Sequence, residues 1–427
     1  MTAPLLRPIA PRDILTSGPE RTGTDRTRAV DPDAVPEAAR IVADVETRGE
    51  PAVREHAERL GDCEPGAPLI FGPDELEAAR RDLAPADREV LERTAERIAT
   101  FALRQRRTLT DFSLEVAGGT AGHEVAAVKR AGCYAPGGRY PLPSSVLMTA
   151  VTARTAGVET VWVASPRPAA ITLAAAAVAG ADALLAVGGA QAIAALACGA
   201  GRVPRCDVIA GPGNRWVTAA KYLVSDRVGI DSVAGPSELV VVADAGSDPE
   251  VIAADLLAQA EHDPAARPIL ITLDPDLTAK VELALQARLA DLPTGETARA
   301  ALANGCAVTA ADRGEAARLC DALAPEHLEL LLGDPGGFAR HISHYGALFL
   351  GPGAAEVFAD YGVGPNHVLP TGGAARWSGG LSVLTFLRVR TWYRAGPGPL
   401  PADFRRDVEH LARLEGLEAH ARAAGLR

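Results

Sequence analysis

The residues most suggestive of chemistry lie at the end of one predicted helix. Asp248-Pro249 is typical of an N-cap followed by a proline in the first turn, and apolar residues recur at helical spacing through residues 251–257. Gln259 and His262 are three apart, so they project from one side of the last turn before Pro264 ends the helix. An amide oxygen and an imidazole at this spacing can supply two ligands of a metal site. A hydrogen-bonded polar helix end is the alternative interpretation.

Further acids and histidines follow towards the C-terminus. Glu326-His327 places a carboxylate beside an imidazole at the start of a predicted strand, where the imidazole can transfer a proton and the carboxylate can activate water. Asp360 and His367 belong to a glycine- and proline-rich loop, and Glu415 and His420 lie in the tail. A surface turn remains the alternative interpretation for Glu326-His327, and a plain surface loop remains the alternative for Asp360 and His367. The tail pair reaches a site only if its helix end covers that site.

Glycine turns suggest where a ligand could approach the backbone. Two predicted strand ends are followed by glycine turns, at residues 188–191 and 211–214, and a glycine- and proline-rich loop at 131–145 contains Tyr134. Such turns can admit a phosphate at a helix N-terminus, but they are also common in α/β folds. The chain has no Gly-x-Gly-x-x-Gly sequence, so the usual dinucleotide fingerprint is absent.

Composition excludes several functional classes. The 427 residues carry 43 Lys and Arg against 54 Asp and Glu, a net charge of −11, which argues against non-specific binding to nucleic acid or anionic membranes. Six scattered cysteines without a Cys-x-x-Cys pair, and an N-terminus without a signal core, predict a cytoplasmic protein. The segment from Arg167 to Arg202 has Asp182 as its only internal charge, but its glycines favour a buried α/β core over a membrane helix.

The predicted elements indicate an α/β fold. Two separate runs of strand–helix units, at about residues 160–224 and 238–350, predict two doubly wound sheets, and a duplication would explain their repetition. Residues 31–107 have helical periodicity, and residues 403–427 read as one amphipathic helix suited to contact another subunit.

Six motifs in one order then identify a resemblance. Together they resemble histidinol dehydrogenase, in register over about residues 125–427, and six in the same order are far more specific than any one. The motifs are Gly-Gly-Ala-Gln191, Gly-Pro-Gly-Asn214, Ala-Gly-Pro-Ser237-Glu, Gln259-Ala-Glu-His262, Pro-Glu326-His327-Leu and Gly-Pro-Asn-His367-Val-Leu-Pro-Thr.

The resemblance implies a zinc-dependent, NAD-linked oxidation of L-histidinol to L-histidine, the last step of histidine biosynthesis. Two hydride transfers would proceed through bound L-histidinaldehyde. Carried onto matching positions, one zinc ion per subunit would be held by Gln259, His262, Asp360 and His420. Those four residues, with Ser237, His327 and Glu415, would bind the substrate.

The same resemblance implies the remaining roles. His327 would be the general base for the alcohol proton, and Glu326 would activate the water that hydrates the aldehyde. Tyr134, Gln191 and Asn214 would contact NAD.

The family's architecture implies two Rossmann-like domains with an N-terminal arm and a C-terminal helical piece, assembled as an intertwined homodimer. Glu415 and His420 would then come from the partner chain. The corresponding division is residues 1–24 for the arm, 25–133 plus 238–382 for a first domain with the zinc and catalytic residues, 134–237 for a second domain with the NAD contacts, and 383–427 for a dimerisation segment.

Two alternatives remain at this point. A paralogue on the same scaffold could oxidise another polar alcohol, but we expect such a protein to have lost Glu326, Glu415 or His420, and this chain keeps all three. A non-catalytic, zinc-stabilised dimer is the other alternative, and an assay for NADH formation from L-histidinol would distinguish it.

Overall fold

The computed structural model describes residues 4–17, 30–137 and 140–427. Its strands are β1 (Arg7–Pro8), β2 (Ile70–Phe71), β3 (Phe112–Val116), β4 (Gly119–Ala127), β5 (Arg130–Tyr134), β6 (Thr160–Ala164), β7 (Ala183–Leu185), β8 (Val208–Ala210), β9 (Gly229–Ile230), β10 (Glu238–Ala243), β11 (Arg267–Thr272), β12 (Cys306–Thr309), β13 (His327–Leu331), β14 (Ala347–Leu350) and β15 (Leu387–Ala395).

The α-helices of the same residues surround these strands. They are α1 (Pro11–Ser17), α2 (Val35–Arg48), α3 (Glu50–Arg59), α4 (Pro73–Asp82), α5 (Pro85–Arg106), α6 (Pro143–Ala156), α7 (Ala170–Val178), α8 (Gly189–Cys198), α9 (Arg215–Val224), α10 (Pro249–Ala260), α11 (Leu277–Leu289), α12 (Gly295–Leu302), α13 (Arg313–Leu323), α14 (Pro335–Ala339), α15 (Glu356–Asp360), α16 (Ala402–Leu414) and α17 (Glu418–Gly425). Two short 3₁₀ helices lie at Ala374–Arg376 and Val383–Phe386.

Two six-stranded sheets organise the molecule. The first has the order β1-β12-β11-β10-β13-β14 and is parallel throughout. The second has the order β2-β7-β6-β5-β8-β9 and is parallel except for the edge strand β2. Apart from β1 and β2, both sheets place their strands in the same order along the chain. The prediction of two Rossmann-like doubly wound sheets is therefore confirmed, and this repetition is what a duplication produces.

The central parallel strands β6 and β10 are apolar on both faces because helices cover both sides of each sheet. In β10, Leu239 and Val241 belong to one apolar cluster, while Val240 and Val242 belong to the cluster on the opposite face. Alternate residues of β6 divide between two clusters in the same way. This two-sided burial explains why these strands read as continuous apolar runs rather than as alternating patterns.

One predicted domain boundary is wrong. Residues 25–133 were predicted to join residues 238–382, but the helices between residues 35 and 106 pack on the second sheet, and β5 lies in the interior of that sheet. Ile41 of α2 lies in one cluster with Ile193, and Ile98 of α5 lies in another with Met148. Helical periodicity predicts a buried face, but it does not specify which sheet that face meets.

The described part of the N-terminal arm belongs to the first sheet. Arg7 and Pro8 pair in parallel with β12, and Ile14 of α1 is buried in an apolar cluster of that sheet. Residues 1–3 and 18–24 of the predicted arm lie outside the described residues.

The C-terminal segment has two parts. Strand β15 pairs with β4 in a three-stranded antiparallel sheet that also contains β3. The prediction of one helix over residues 403–427 is wrong, because α16 and α17 are separated at residues 415–417, where Gly416 has a left-handed φ of +76°. No helix of the described residues is long and apolar enough to cross a membrane.

Candidate active site

The predicted helix end is the first component of the site. Asp248 accepts a hydrogen bond from the Glu250 amide and caps α10, as its sequence predicts. At the other end, Gln259 is fully buried, and the side chain of His262, just beyond the helix, is 41% exposed. The helix therefore holds the amide inside the protein and the imidazole at its surface.

An acidic helical turn faces this imidazole. His262 Nε2 lies 3.5 Å from Asp360 Oδ2 and 3.7 Å from Glu356 Oε1. One ligand atom from each of the three residues lies within 4.8 Å of the others. Sequence reasoning found His262 and Asp360 but missed Glu356, although a spacing of four residues places it on the same face of α15 as Asp360.

The donor atoms at this cluster fit a divalent cation. Among the described residues, both polar atoms of the Gln259 side chain and both carboxylate oxygens of Glu356 are buried without a hydrogen-bond partner. Such groups are costly to bury unless something binds them. An imidazole nitrogen with amide and carboxylate oxygens is a ligand set that Zn²⁺ accepts.

Glu326 and His327 adjoin the cluster, as predicted. His327 Nδ1 lies 3.2 Å from the Glu238 carbonyl oxygen, and donation to that carbonyl leaves Nε2 as the acceptor. Nε2 is buried and has no hydrogen-bond partner among the described residues. Burial lowers the pKa of His327 to about 3, so the imidazole is neutral at pH 7. His327 Nδ1 is 3.6 Å from Glu356 Oε1, which connects this pair to the acidic turn.

The Glu326 carboxylate is fixed by two donors. Ser237 Oγ donates to Glu326 Oε2 at 2.5 Å, and the Glu238 amide donates to the same oxygen at 2.9 Å. Burial raises the pKa of Glu326 well above its usual range, although both hydrogen bonds oppose that shift. Ser237 was predicted to touch substrate, and the structure places its hydroxyl against the Glu326 carboxylate.

His367 supports Asp360 from behind. Its Nδ1 lies 3.1 Å from the Asp360 carbonyl oxygen and 3.9 Å from Asp360 Oδ1. Burial lowers the pKa of His367 to about 4, so this ring is also neutral at pH 7. Burial raises the pKa of Asp360 itself to about 6, and the charge of His262 opposes that shift. Sequence patterns assign His367 no role, whereas in the structure its ring is hydrogen-bonded to the backbone of Asp360.

An acid pair, the buried Glu329 and the half-buried Asp255, lies behind Glu356. Glu329 Oε1 accepts a hydrogen bond from the Glu356 amide at 2.7 Å, and its carboxyl also bonds to Asp255 of α10. Burial, and next the charge of Asp255, raise the pKa of Glu329 to about 8. Sequence reasoning missed this pair, although an acid within an otherwise apolar strand is a signal that could have found it.

A second group of predicted residues lies at the carboxyl edge of the second sheet. Tyr134 ends β5, Gln191 lies in the first turn of α8 after β7, and Asn214 caps α9 after β8. The Tyr134 hydroxyl accepts from the Gly189 amide at 3.2 Å, and Asn214 Oδ1 accepts from two amides of α9. This edge includes the point between β5 and β8 where the strand order reverses, the usual ligand crevice of such sheets.

A short connection links the two groups of residues. Residues 231–237 run from the end of β9 to the start of β10, so the carboxyl edge of the second sheet leads to the amino edge of the first. Thr218 donates to the Ala234 carbonyl, and the Gly235 amide donates to Thr371. The middle of this segment is thereby held against residues from other parts of the chain.

The C-terminal pair is not brought to this site within one chain. Glu415 and His420 are exposed at the ends of α16 and α17, and the cluster found among the described residues consists of His262, Glu356 and Asp360. Within one chain, the described residues therefore do not complete the predicted ligand set.

Comparison with known proteins gives a consistent result. The family model described as histidinol dehydrogenase matches residues 24–427. Histidinol dehydrogenase of Thermus thermophilus is 48% identical over 352 residues, 82% of this chain and 84% of that protein. The enzyme of Cereibacter sphaeroides is 45% identical over 404 residues, 93% of this chain and 92% of that protein.

Solved structures agree in fold. A crystal structure of histidinol dehydrogenase from Elizabethkingia anophelis matches with a TM-score of 0.91 at 27% identity, covering 100% of this chain and 98% of that one. An acetylating aldehyde dehydrogenase from Geobacillus thermoglucosidasius matches with a TM-score of 0.52 at 14% identity, covering 92% of this chain and 97% of that one. The second likeness concerns the fold alone.

Proposed function

Because this chain belongs to the histidinol dehydrogenase family, we propose that it oxidises L-histidinol to L-histidine with NAD as the hydride acceptor and with bound zinc. The observation that carries the proposal is the cluster of His262, Glu356 and Asp360 beside Glu326-His327. The cluster supports the proposal because its nitrogen and oxygen atoms could bind a metal beside an imidazole that could accept a proton and a carboxylate that could activate water, as the oxidation of an alcohol through an aldehyde requires.

The zinc ion would be held by Gln259, His262 and Asp360, together with His420 of the partner subunit. When bound, zinc supplies a Lewis acid and a fixed point for the amine and the imidazole of the substrate. The partnerless amide of Gln259 supports this assignment, since a buried amide without hydrogen bonds is otherwise unfavourable. Glu356 adds a carboxylate, not among the predicted ligands, whose Oε1 lies 3.7 Å from His262 Nε2.

NAD would bind at the carboxyl edge of the second sheet, at Tyr134, Gln191 and Asn214. When bound, NAD accepts the hydride from the carbinol carbon. The partnerless Gln191 Oε1 supports this location, because it is an acceptor held in place for a ligand. Tyr134 is buried under the Gly188–Gly189 turn, so its hydroxyl supports the shape of that turn.

His327 would take the hydroxyl proton of the alcohol. Its Nδ1 proton is directed at the Glu238 carbonyl, so the lone pair that can accept is on Nε2. A pKa lowered by burial keeps the imidazole neutral and ready to accept at pH 7. Glu326 would remove a proton from the water that hydrates the aldehyde, before the second hydride leaves for NAD.

The active form would be a homodimer whose sites are shared between subunits. Leu411, Leu414 and Leu417 are 59%, 70% and 43% exposed in the single chain. Apolar residues gathered on one terminal helix and its end favour burial against another protein surface. A partner covering them would also carry Glu415 and His420 of the partner subunit towards the zinc cluster.

The decisive assay follows NADH absorbance with L-histidinol, NAD and zinc, with other amino alcohols as controls. We expect NADH formation from L-histidinol, at two NADH per substrate when the reaction is complete. NADH formation from another alcohol but not from L-histidinol would instead favour a paralogue. No NADH formation by zinc-loaded dimer would favour a binding protein.

A further inference from the structure

Asp62 ties down the glycine turn ahead of α8. It follows α3, far from the turn along the chain, and its Oδ2 accepts from the Gly188 amide at 2.9 Å and from Gln191 Nε2 at 2.7 Å. One carboxylate oxygen therefore connects the cap residue of α8 to a side chain of its first turn.

This contact fixes the direction of the Gln191 amide. A carboxylate oxygen only accepts hydrogen bonds, so the amide must present Nε2 to Asp62 and turn Oε1 away from it. Gln191 is 1% exposed, and its Oε1 has no partner among the described residues. A Cβ built on Gly189, whose φ is +60°, would lie 2.9 Å from Oε1, so the absent side chain leaves space directly beside that atom.

The amides of the turn are already occupied. The Gly188 amide donates to Asp62, and the Gly189 amide donates to the Tyr134 hydroxyl. A phosphate at a helix N-terminus needs such amides free and is repelled by a nearby carboxylate. The same is true after β8, where the Gly211 amide donates to Asp231 Oδ2 at 2.7 Å.

We propose that Asp62 is a positioning residue that makes Gln191 present its carbonyl oxygen to the dinucleotide, and that this oxygen accepts a hydrogen bond from a donor group of NAD. The donor is a ribose hydroxyl, the adenine amino group or the amide of the nicotinamide carboxamide, because the pyrophosphate has no proton to donate at neutral pH. The Gly188–Gly189 turn therefore recognises a nucleoside portion of NAD and not the pyrophosphate. This inference rests on the proposed binding of NAD.

The direction in which Asp62→Ala changes the affinity for NAD distinguishes binding of a donor group of NAD at this turn from binding of the pyrophosphate there. Calorimetric titration of the zinc-loaded protein with NAD, without histidinol, measures binding in the absence of turnover. We expect Asp62→Ala to weaken NAD binding about tenfold, close to 1.4 kcal/mol. If the pyrophosphate lay at this turn, removing the carboxylate and freeing the Gly188 amide would strengthen binding instead. Unchanged or tighter binding by Asp62→Ala overturns the proposal.

Matched variants test whether Asp62 affects NAD binding through Gln191. Asp62→Asn keeps an oxygen that can accept both hydrogen bonds, so binding should stay within about threefold of wild type. Glu64→Ala removes an exposed acid from the same loop and should leave binding unchanged. The double variant Asp62→Ala/Gln191→Ala should bind NAD no more weakly than Gln191→Ala alone. If the two substitutions lower the affinity for NAD by factors that multiply in the double variant, Asp62 acts independently of Gln191, and the proposal is overturned.

A pair of substitutions without truncation covers the case in which Asp62→Ala does not fold. Gln191→Glu places two carboxylates against each other and should weaken NAD binding, whereas adding Asp62→Asn supplies a donor and should restore it. Binding by Gln191→Glu at wild-type strength would contradict the proposal.

Steady-state kinetics provide a further readout. The KM for NAD should rise in Asp62→Ala while the KM for L-histidinol is unchanged, because the proposed substrate site lies at the other sheet. Equal increases in both would overturn the positioning role. Wild-type protein that does not bind NAD would overturn the proposed function, whereas wild-type binding together with an unaffected Asp62→Ala overturns this inference alone.

Discussion

The buried Glu329, paired with the half-buried Asp255, makes the stability of the metal-free protein depend on pH. Burial and the neighbouring carboxylate raise the pKa of Glu329 from 4.5 to about 8. An acid whose pKa is higher in the folded state is ionised earlier in the unfolded chain. The contribution of Glu329 to the free energy of unfolding is therefore fully present below pH 4.5 and is lost as the pH rises towards 8. Each pKa unit corresponds to about 1.4 kcal/mol, so the full shift corresponds to about 5 kcal/mol, most of it between pH 5 and pH 8.

Glu329→Gln removes this titration while keeping an oxygen for the Glu356 amide and a donor for Asp255. The variant should therefore become more stable than wild type as the pH rises. At an unfolding entropy of about 2 cal/mol/K per residue, 5 kcal/mol corresponds to a Tm difference of about 5 °C if the whole chain melts together, and more if the domain of the first sheet melts alone.

The assay is calorimetric melting of both proteins at pH 5, 6.5 and 8 in the presence of a chelator, so that no bound cation changes the neighbouring acids. The exposed acid variant Glu64→Gln is the control and should follow wild type at every pH. A Tm difference between Glu329→Gln and wild type that is the same at pH 5 and pH 8 would refute the reasoning, because it would show that Glu329 does not hold a proton in the folded state.

Three further predictions concern the zinc site and the chemistry. Metal analysis of His262→Asn and of His420→Asn should show lowered zinc occupancy, and full occupancy in either variant removes that residue from the ligand set. Glu326→Gln should slow aldehyde oxidation more than alcohol oxidation, since only the aldehyde step needs activated water; equal slowing in the two half-reactions measured separately would contradict this role. Inactive His262→Asn and His420→Asn proteins, mixed equally and allowed to exchange subunits, should recover about a quarter of wild-type activity, because half of the dimers are mixed and each has one intact site. No recovery after exchange, verified by mass spectrometry of the mixed dimer, would count against shared sites.

Local features of the fold could be predicted because they depend on neighbours in the chain. The cap at Asp248, the apolar face of α10 and the two-sided burial of β10 all follow from residue type and spacing. The helix break at Gly416 is also a local feature. It was missed because the leucines at helical spacing around it favoured one continuous helix, and a single glycine did not outweigh that pattern.

The candidate site could be predicted only in part from such local patterns. Motifs identified His262 and Glu326-His327, the resemblance they carry added Asp360, and the structure brings these together. Glu356, Glu329 and Asp62 carried no motif, and their importance follows from the side chains and amides they meet.

The sequence by itself determined the chemical types, their spacing within each element, the doubly wound class and the family. Only the tertiary structure decided which sheet covers the helices of residues 35–106, and which acids meet the predicted site residues. Asp62 meets Gln191 across 129 residues, and Ser237 meets Glu326 across 89. Spacing specifies the face of a helix or strand on which a side chain lies, whereas contacts over such separations depend on how whole elements pack, and no local pattern encodes that arrangement.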